Sequence, residues 1–382
     1  MKTALKSVLF AILVCYSCNN NKVKNSESPI PPYYVDIEKS VSDKREISLS
    51  SLGKKLEYIP LETKPECMLS RATSIEMTES YIFVSDGSKL IEFDKSGKYI
   101  RQIGKQGRGP EEYLNYCDFC VDDSSRLVYV LDEMALKVYD FDGKFIESNA
   151  LPFLSLYFTL KNNNKLLYYT ANAPASETDT LYSWYVSDLH GGNIDKYINY
   201  HKRIKGRIYL GASPLFHLNK EPRFMEFGSD TLLYFNDDKL SPYAIFKFGA
   251  LKMDPDPIVT PDNRTSFDKM LWPVIIDEDY ERLYITSSWG FSSSRSKSVY
   301  NKITNETMTN ENGLTNDLDK GLPFWPVYIY NSSVLVDQAD AFALLNKIEE
   351  IESSGTELSG QLKFIDENLT ENSNPVLIVL RQ

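Results

Sequence analysis

Few residues in this chain are of a type and spacing that could do chemistry. There are only three histidines, His190, His201 and His217. His190 precedes Gly191-Gly192 and reads as part of a turn, and His201 lies beside Lys202 and Arg203. No His-x-x-x-His or Glu-x-x-His pair exists to put two metal ligands on one helix face, which argues against a zinc enzyme. No Gly-x-Ser-x-Gly elbow presents a nucleophilic serine. The glycine-rich run Gly104-Lys-Gln-Gly-Arg-Gly109 lacks the Lys-Ser/Thr ending of a phosphate-cradling loop and reads as a connection that needs glycine backbone angles. Cys117-Asp-Phe-Cys120 has redox spacing, but on a strand positions i and i+3 face opposite sides, so the pair reads as two small apolar fillers. The acidic runs Asp122-Asp123, Asp237-Asp238 and Asp277-Glu278-Asp279 lack the spacing of a calcium loop and read as hairpin turns. No catalytic, cofactor or metal site is therefore assigned.

Binding chemistry is better represented. Tyr113, Phe153, Phe216, Trp272 and Trp325 each stand just before, or at the start of, an expected strand, and Trp272-Pro-Val274 recurs as Trp325-Pro-Val327 at an offset of 53. Aromatic rings at equivalent strand starts could surround one opening and offer flat faces to a sugar or a peptide side chain. Arg101, Lys105 and Arg108, at or near a connecting loop on that same expected face, could meet an acidic group. The competing expectation is that the rings pack between neighbouring elements.

What must position these residues is a β-rich body. The chain has 382 residues, with 25 Tyr and 19 Phe, 42% apolar and 25% charged residues. That composition excludes a disordered, collagenous or polytopic membrane chain, and the aromatic content favours strands. A net charge of −11 lacks the basic footprint of a nucleic-acid binder.

The first residues read as an address. Lys2 and Lys6 precede the apolar run Val8–Val14, which is too short to span a bilayer but suits a secretory signal, and Ser17 precedes Cys18. A small residue before Cys at the end of such a run resembles a bacterial lipobox, although Cys15 stands where Leu is usual. Residues 1–17 are accordingly expected to be removed, Cys18 to carry the lipid, and 18–44 to form a polar, proline-stiffened tether. Residues 45–382 are the expected folded body.

Self-similarity organises that body. Tyr81-Ile-Phe-Val-Ser-Asp86 matches Leu127-Val-Tyr-Val-Leu-Asp132, and Phe93-Asp-Lys-Ser-Gly97 matches Tyr139-Asp-Phe-Asp-Gly143, both at an offset of 46. Asp188-Leu-His-Gly191 repeats the turn element once more. Four short strands in roughly 40–50 residues make one propeller blade. Second strands are legible at 82–84, 128–130, 166–169, 232–235, 283–286 and 334–336, giving six blades. Leu56–Leu61 is expected to pair with 376–380 in the last blade, closing the ring and removing an exposed edge. Ala341, Leu344, Leu345, Ile348 and Ile351 have helical spacing, so a helix over 339–352 should interrupt that blade, ending at Ser353-Ser354-Gly355.

The segment Gly104–Tyr113 after Gly97-Lys-Tyr-Ile-Arg-Gln-Ile103, with the Tyr58-Ile-Pro-Leu-Glu62 strand and the apolar C-terminal strand, resembles the six-bladed β-propeller lipoproteins of Bacteroidetes-type envelopes. Those are similar to NHL-repeat and TolB-like propellers. The resemblance covers most of residues 45–382 and is most specific in the first two blades. It implies an all-β six-bladed propeller held by its lipid on the outer membrane, facing the periplasm or the cell surface. It implies no reaction. The expected role is recognition or scaffolding, for a glycan, a peptide or an envelope protein. The alternative is a propeller hydrolase or lyase acting on polysaccharide.

Overall fold

The structure is a computed structural model that describes residues 30–132, 134–170, 182–198, 215–218, 221–226, 228–253 and 264–382. These residues build six antiparallel sheets arranged as the blades of a propeller. Blade 1 comprises Ser74–Met77, Tyr81–Ser85, Leu90–Asp94 and Tyr99–Ile103, and blade 2 Tyr116–Asp122, Leu127–Asp132, Ala135–Asp140 and Phe145–Ala150. Blade 3 takes Tyr157–Lys161, Lys165–Tyr169, Tyr182–Asp188 and Asp195–Ile198, and blade 4 Leu215–Leu218, Glu221–Phe224, Thr231–Asn236 and Lys239–Lys247. Blade 5 takes Leu271–Glu278, Arg282–Trp289, Arg295–Asn301 and Glu306–Asn310. Each blade's first strand neighbours the first strands of the adjacent blades, so the six surround one axis.

Blade 6 is assembled from both ends of the chain. Tyr328–Tyr330 and Val334–Ala339 pair with Val376–Arg381, whose far side takes Lys55–Pro60. The register sets Leu56 opposite Leu380 and Ile59 opposite Leu377, the closure expected from the sequence. Val376, Leu377, Ile378, Val379 and Leu380 are all buried, because this third strand is covered on both faces. The same geometry explains the apolar runs elsewhere: Ile82, Phe83 and Val84 in a second strand are all inaccessible, whereas the outermost strand Phe145–Ala150 alternates half-buried and exposed.

The Asp-x-x-Gly elements are hairpin turns. The Asp94 carboxylate accepts from the Ser96 and Lys98 amides, and Gly97 has φ +85°, where an added Cβ would lie 2.1 Å from the Pro60 carbonyl oxygen. Asp140 and Gly143 repeat the arrangement in blade 2.

Four features differ from expectation. Thr231–Asn236, read as a second strand, is the third of its blade, because Leu215–Leu218 and Glu221–Phe224 both precede it. The helix runs Ala341–Ser353, and a second helix, Gly360–Asn368, follows it, capped by the Ser359 hydroxyl accepting from the Leu362 amide. The body begins before residue 45. Tyr33–Asp36 adds a parallel fifth strand to the edge of blade 4, opposite 244–247, and Ile37–Ser42 is a short helix whose Ile37 is fully buried. Finally, the run Asp277-Glu278-Asp279 is not simply a turn. Only Asp279 caps one, accepting from the Glu281 and Arg282 amides.

Candidate functional site

The first strands enclose an axial channel with two mouths. At their N-terminal ends lies a cavity of about 430 Å³ to which all six blades contribute. Its rim exposes Tyr157 (41%), Ile275 (50%) and Val327 (41%), apolar groups from three blades, with Phe216 half-buried beside them. Large exposed apolar groups converging on one opening are more informative than the same groups scattered over a surface. The opposite mouth, at the C-terminal ends, is a wider space of about 910 Å³ bordered by Glu79, Asp123, Lys95 and Arg381. Glu76, Tyr328 and Ile329 border both spaces and mark the waist between them.

Below the apolar rim stand three carboxyl groups, Glu76, Asp118 and Asp277. Two of them tie neighbouring blades together. Glu76 of blade 1 accepts through Oε2 from the Val121 amide of blade 2 at 2.9 Å, and Asp118 of blade 2 accepts through Oδ2 from the Phe158 amide of blade 3 at 3.2 Å. Asp277 of blade 5 accepts from the Glu278 amide at 2.8 Å. Each side chain meets the lumen on one side and protein on the others. Burial pushes Glu76 up from the usual 4.5 to about 8, Asp118 from 3.8 to about 7, and Asp277 from 3.8 to about 8. The amide hydrogen bonds oppose these shifts only in part, and the negative charge of Asp118 adds to that on Glu76. No Lys or Arg is among the described residues that line this cavity.

Two fully buried acids elsewhere in the fold have basic partners. Glu278 lies between blades 4 and 5 with Arg223 Nε at 3.2 Å, Lys302 Nζ at 2.9 Å and the Tyr243 hydroxyl donating at 2.6 Å. Glu92, fully buried, has Arg101 Nε at 3.2 Å. Among the described residues no group of three or more His, Cys, Asp or Glu side chains is placed to hold a metal ion.

The residues singled out from sequence do not form one ring. Trp272 and Trp325 are each 6% exposed, and Tyr113 and Phe153 are buried as well. Trp325 packs edge-on to Tyr284 of blade 5, donates from Nε1 to the Thr286 hydroxyl at 2.8 Å, and has Lys297 above its ring. Trp272 lies against Met253, Phe267 and Phe291. Phe153 stacks on Tyr185 with centroids 4.1 Å apart. Phe216 is the member of that set that reaches the channel wall.

The three cations also serve local partners. Arg101 is turned to Glu92 and Asp142. Lys105 pairs with Glu112 at 3.1 Å, while Glu112 Oε2 accepts from the Gly109 amide at 2.8 Å. A Cβ on Gly107 would collide with that carboxylate, so the loop's glycines make room for its own acid. Arg108 points to solvent. His201 lies outside the described residues, and Cys120 is a free, buried thiol. Sequence reasoning passed over Glu76 and Asp118 and read Asp277 as part of a turn. The signal for them was an acid next to an apolar residue within a first strand, as in Ser74-Ile-Glu-Met77.

Six four-stranded blades round an acid-lined axis define a six-bladed β-propeller. A family model described as a domain of unknown function, DUF4934, matches residues 32–381, and the chain belongs to that family. No curated protein matches the sequence. Among solved structures, the fold is similar to that of a Bacteroides fragilis protein that carries the name of an exported protein, with a TM-score of 0.68 and 18% identity over 91% of this chain and 99% of that one. It is also similar to a member of the DUF4221 family from Bacteroides vulgatus, with a TM-score of 0.51 and 11% identity over 86% and 96% of the two chains.

Proposed function

We propose that this propeller is an exported, lipid-anchored recognition module of the cell envelope that takes a ligand into the N-terminal-end mouth of its channel. The observation that carries the reading is the cavity of about 430 Å³, walled by all six blades and rimmed by exposed Tyr157, Ile275 and Val327. Its size is that of ordinary ligand pockets, and such pockets combine apolar walls with a few placed polar groups. Phe216 belongs to this proposed site. Trp272, Trp325 and Phe153 are buried in the packing behind it, Arg101 pairs with Glu92 and Asp142, Lys105 holds Glu112 within its loop, and Arg108 is exposed. Anchoring through Cys18 accords with the Lys2–Cys18 pattern and with the exported name of the Bacteroides fragilis neighbour.

A peptide or protein segment fits the mouth better than a glycan. Sugar faces stack on flat rings, and Tyr113, Phe153, Trp272 and Trp325 are all buried. The rim sets the aliphatic Ile275 and Val327 beside the Tyr157 and Phe216 rings, a mixed apolar surface that suits peptide side chains. A hydrolase or lyase is less well supported, because Glu76 and Asp118 already serve as hydrogen-bond acceptors between blades. The test is a peptide-library and glycan-array screen with the full chain, repeated with Ile275→Arg. Hits that vanish in the variant support the reading. Hits that survive it place binding elsewhere on the molecule and overturn the reading.

A further inference from the structure

We infer that the occupant of this mouth is a peptide segment that directs a Lys or Arg side chain down the channel toward Glu76, Asp118 and Asp277, its apolar neighbours resting on Tyr157, Ile275 and Val327. The inference rests on the binding reading above and adds the chemical class of the ligand.

The argument starts from a contrast within the molecule. Glu278 and Glu92, both inaccessible to solvent, each have cations beside them: Arg223 and Lys302 for Glu278, Arg101 for Glu92. In the channel three half-buried acids have no cation among the described lining residues. The amide hydrogen bonds carry no countercharge: the Val121 amide donates to Glu76 Oε2 and the Phe158 amide to Asp118 Oδ2. A carboxylate removed from bulk water without a countercharge is costly, and a cation from outside removes that cost.

The shape of the site says how such a cation arrives. The acids lie beneath an apolar collar, so a small hydrated ion gains nothing from Tyr157, Ile275 and Val327. A Lys or Arg side chain fits both layers, because its methylene stem lies along apolar surface while its charged head reaches past it. The two mouths also differ in charge. Lys95 and Arg381 border the C-terminal-end mouth, whereas the charged groups among the described residues lining the N-terminal-end cavity are all acids, so entry from the collar side is favoured. The net charge of −11 draws basic segments toward the protein as a whole.

The test is calorimetric titration of the full chain in detergent with two probes, acetyl-Ala-Leu-Lys-Leu-Ala-amide and the same peptide carrying norleucine in place of lysine. The lysine peptide should bind about tenfold tighter, a difference of roughly 1.4 kcal/mol. That advantage should disappear in the Glu76→Gln, Asp118→Asn, Asp277→Asn triple variant, whose amides keep the shape and the acceptors. Asp277→Asn alone should reduce it, which keeps the test valid should the triple variant fold poorly. Equal binding of the two peptides, both lost in Ile275→Arg, would overturn the cation inference while leaving the channel as a binding site. Binding of neither peptide, or binding untouched by Ile275→Arg, would overturn both. Spermidine competing as well as the lysine peptide would show that the cation is read without its peptide and would likewise overturn the inference.

Discussion

Replacing the three channel acids by their amides should stabilise the protein in a manner that grows with pH. Glu76, Asp118 and Asp277 are raised to about 8, about 7 and about 8, so the folded chain holds protons there that the unfolded chain releases near pH 4. Where the folded state binds more protons, stability falls as pH rises. The loss therefore starts near the unfolded values and is complete once pH exceeds the folded ones. The charged groups facing these acids reinforce the trend: Asp118 near Glu76, and Glu278 and Asp279 near Asp277, while the neighbouring Tyr116 and Tyr328 stay neutral throughout this range. Each tenfold change in proton affinity is worth about 1.4 kcal/mol, so carboxyls raised this far would carry roughly 4–6 kcal/mol apiece in a dry, isolated setting. Each group has a face on the lumen, and screening there reduces this to ~1–2 kcal/mol each, or ~3–6 kcal/mol together. With an unfolding entropy of about 2.1 cal/mol/K per residue, that is roughly 4–8 °C for a chain of this length. Thermal melts of parent and triple variant from pH 5 to pH 8.5 should nearly coincide at the acid end and separate by about that amount, variant higher, at the alkaline end. Melting curves that stay a constant distance apart would show that these carboxyls ionise normally in the folded protein, and a variant that melts lower at pH 8.5 would show that their charge is stabilising. Either result refutes the reasoning.

Three further expectations concern the packing and the address. Deleting 375–382 removes five buried residues of the closing strand, each worth ~1.5–3 kcal/mol, a loss comparable to the ~5–15 kcal/mol stability of a whole domain, so the truncated chain should show no cooperative melt. Trp325→Ala should cost ~3–5 kcal/mol through the cavity it leaves and the lost bond to Thr286, and Trp272→Ala a similar amount through its cavity, by denaturant titration; a change under about 1 kcal/mol would make these rings candidates for ligand platforms again. Cys18→Ala should abolish incorporation of a fatty-acid probe, and equal labelling of the variant would reject Cys18 as the anchor.

The blade repeat and the ring closure were legible because they rest on local chemistry. Asp94–Gly97 and Asp140–Gly143 need an acceptor and a residue tolerant of positive φ at fixed spacing, so the turn survives as a pattern. Val376–Leu380 is apolar at every position because its strand is covered on both faces, and such a strand requires partners on both edges. The fifth strand of blade 4 was not legible. Tyr33–Asp36 is four residues long, and what holds it is pairing with 244–247 and the burial of Val35 and Ile37, neither of which leaves a local mark. Gly360–Asn368 was missed because only Leu362 and Ile365 face inward, too few to establish a helical period.

The site was harder to see for a reason built into this architecture. In a sheet with one wet face, alternation tells which residues point inward. A propeller blade lies between two others, so both faces are dry, and an aromatic at almost any position finds a partner across the gap. Trp325 meets Tyr284 of blade 5, Phe153 packs among residues of blades 2 and 3, and Tyr113 among residues of blades 1 and 2. Conspicuous aromatics therefore mark where blades are glued together. The channel wall is the one internal surface that no neighbouring blade covers, and there the informative residue is the one that breaks an apolar strand. Glu76 follows Ile75, Asp118 precedes Phe119, and Asp277 follows Ile276, each an acid that lines the lumen with no cation paired to it among the described lining residues. Chemistry in this fold is thus better sought at polar interruptions of the first strands than at its tryptophans, and Glu76, Asp118 and Asp277 are where substitution should separate function from folding.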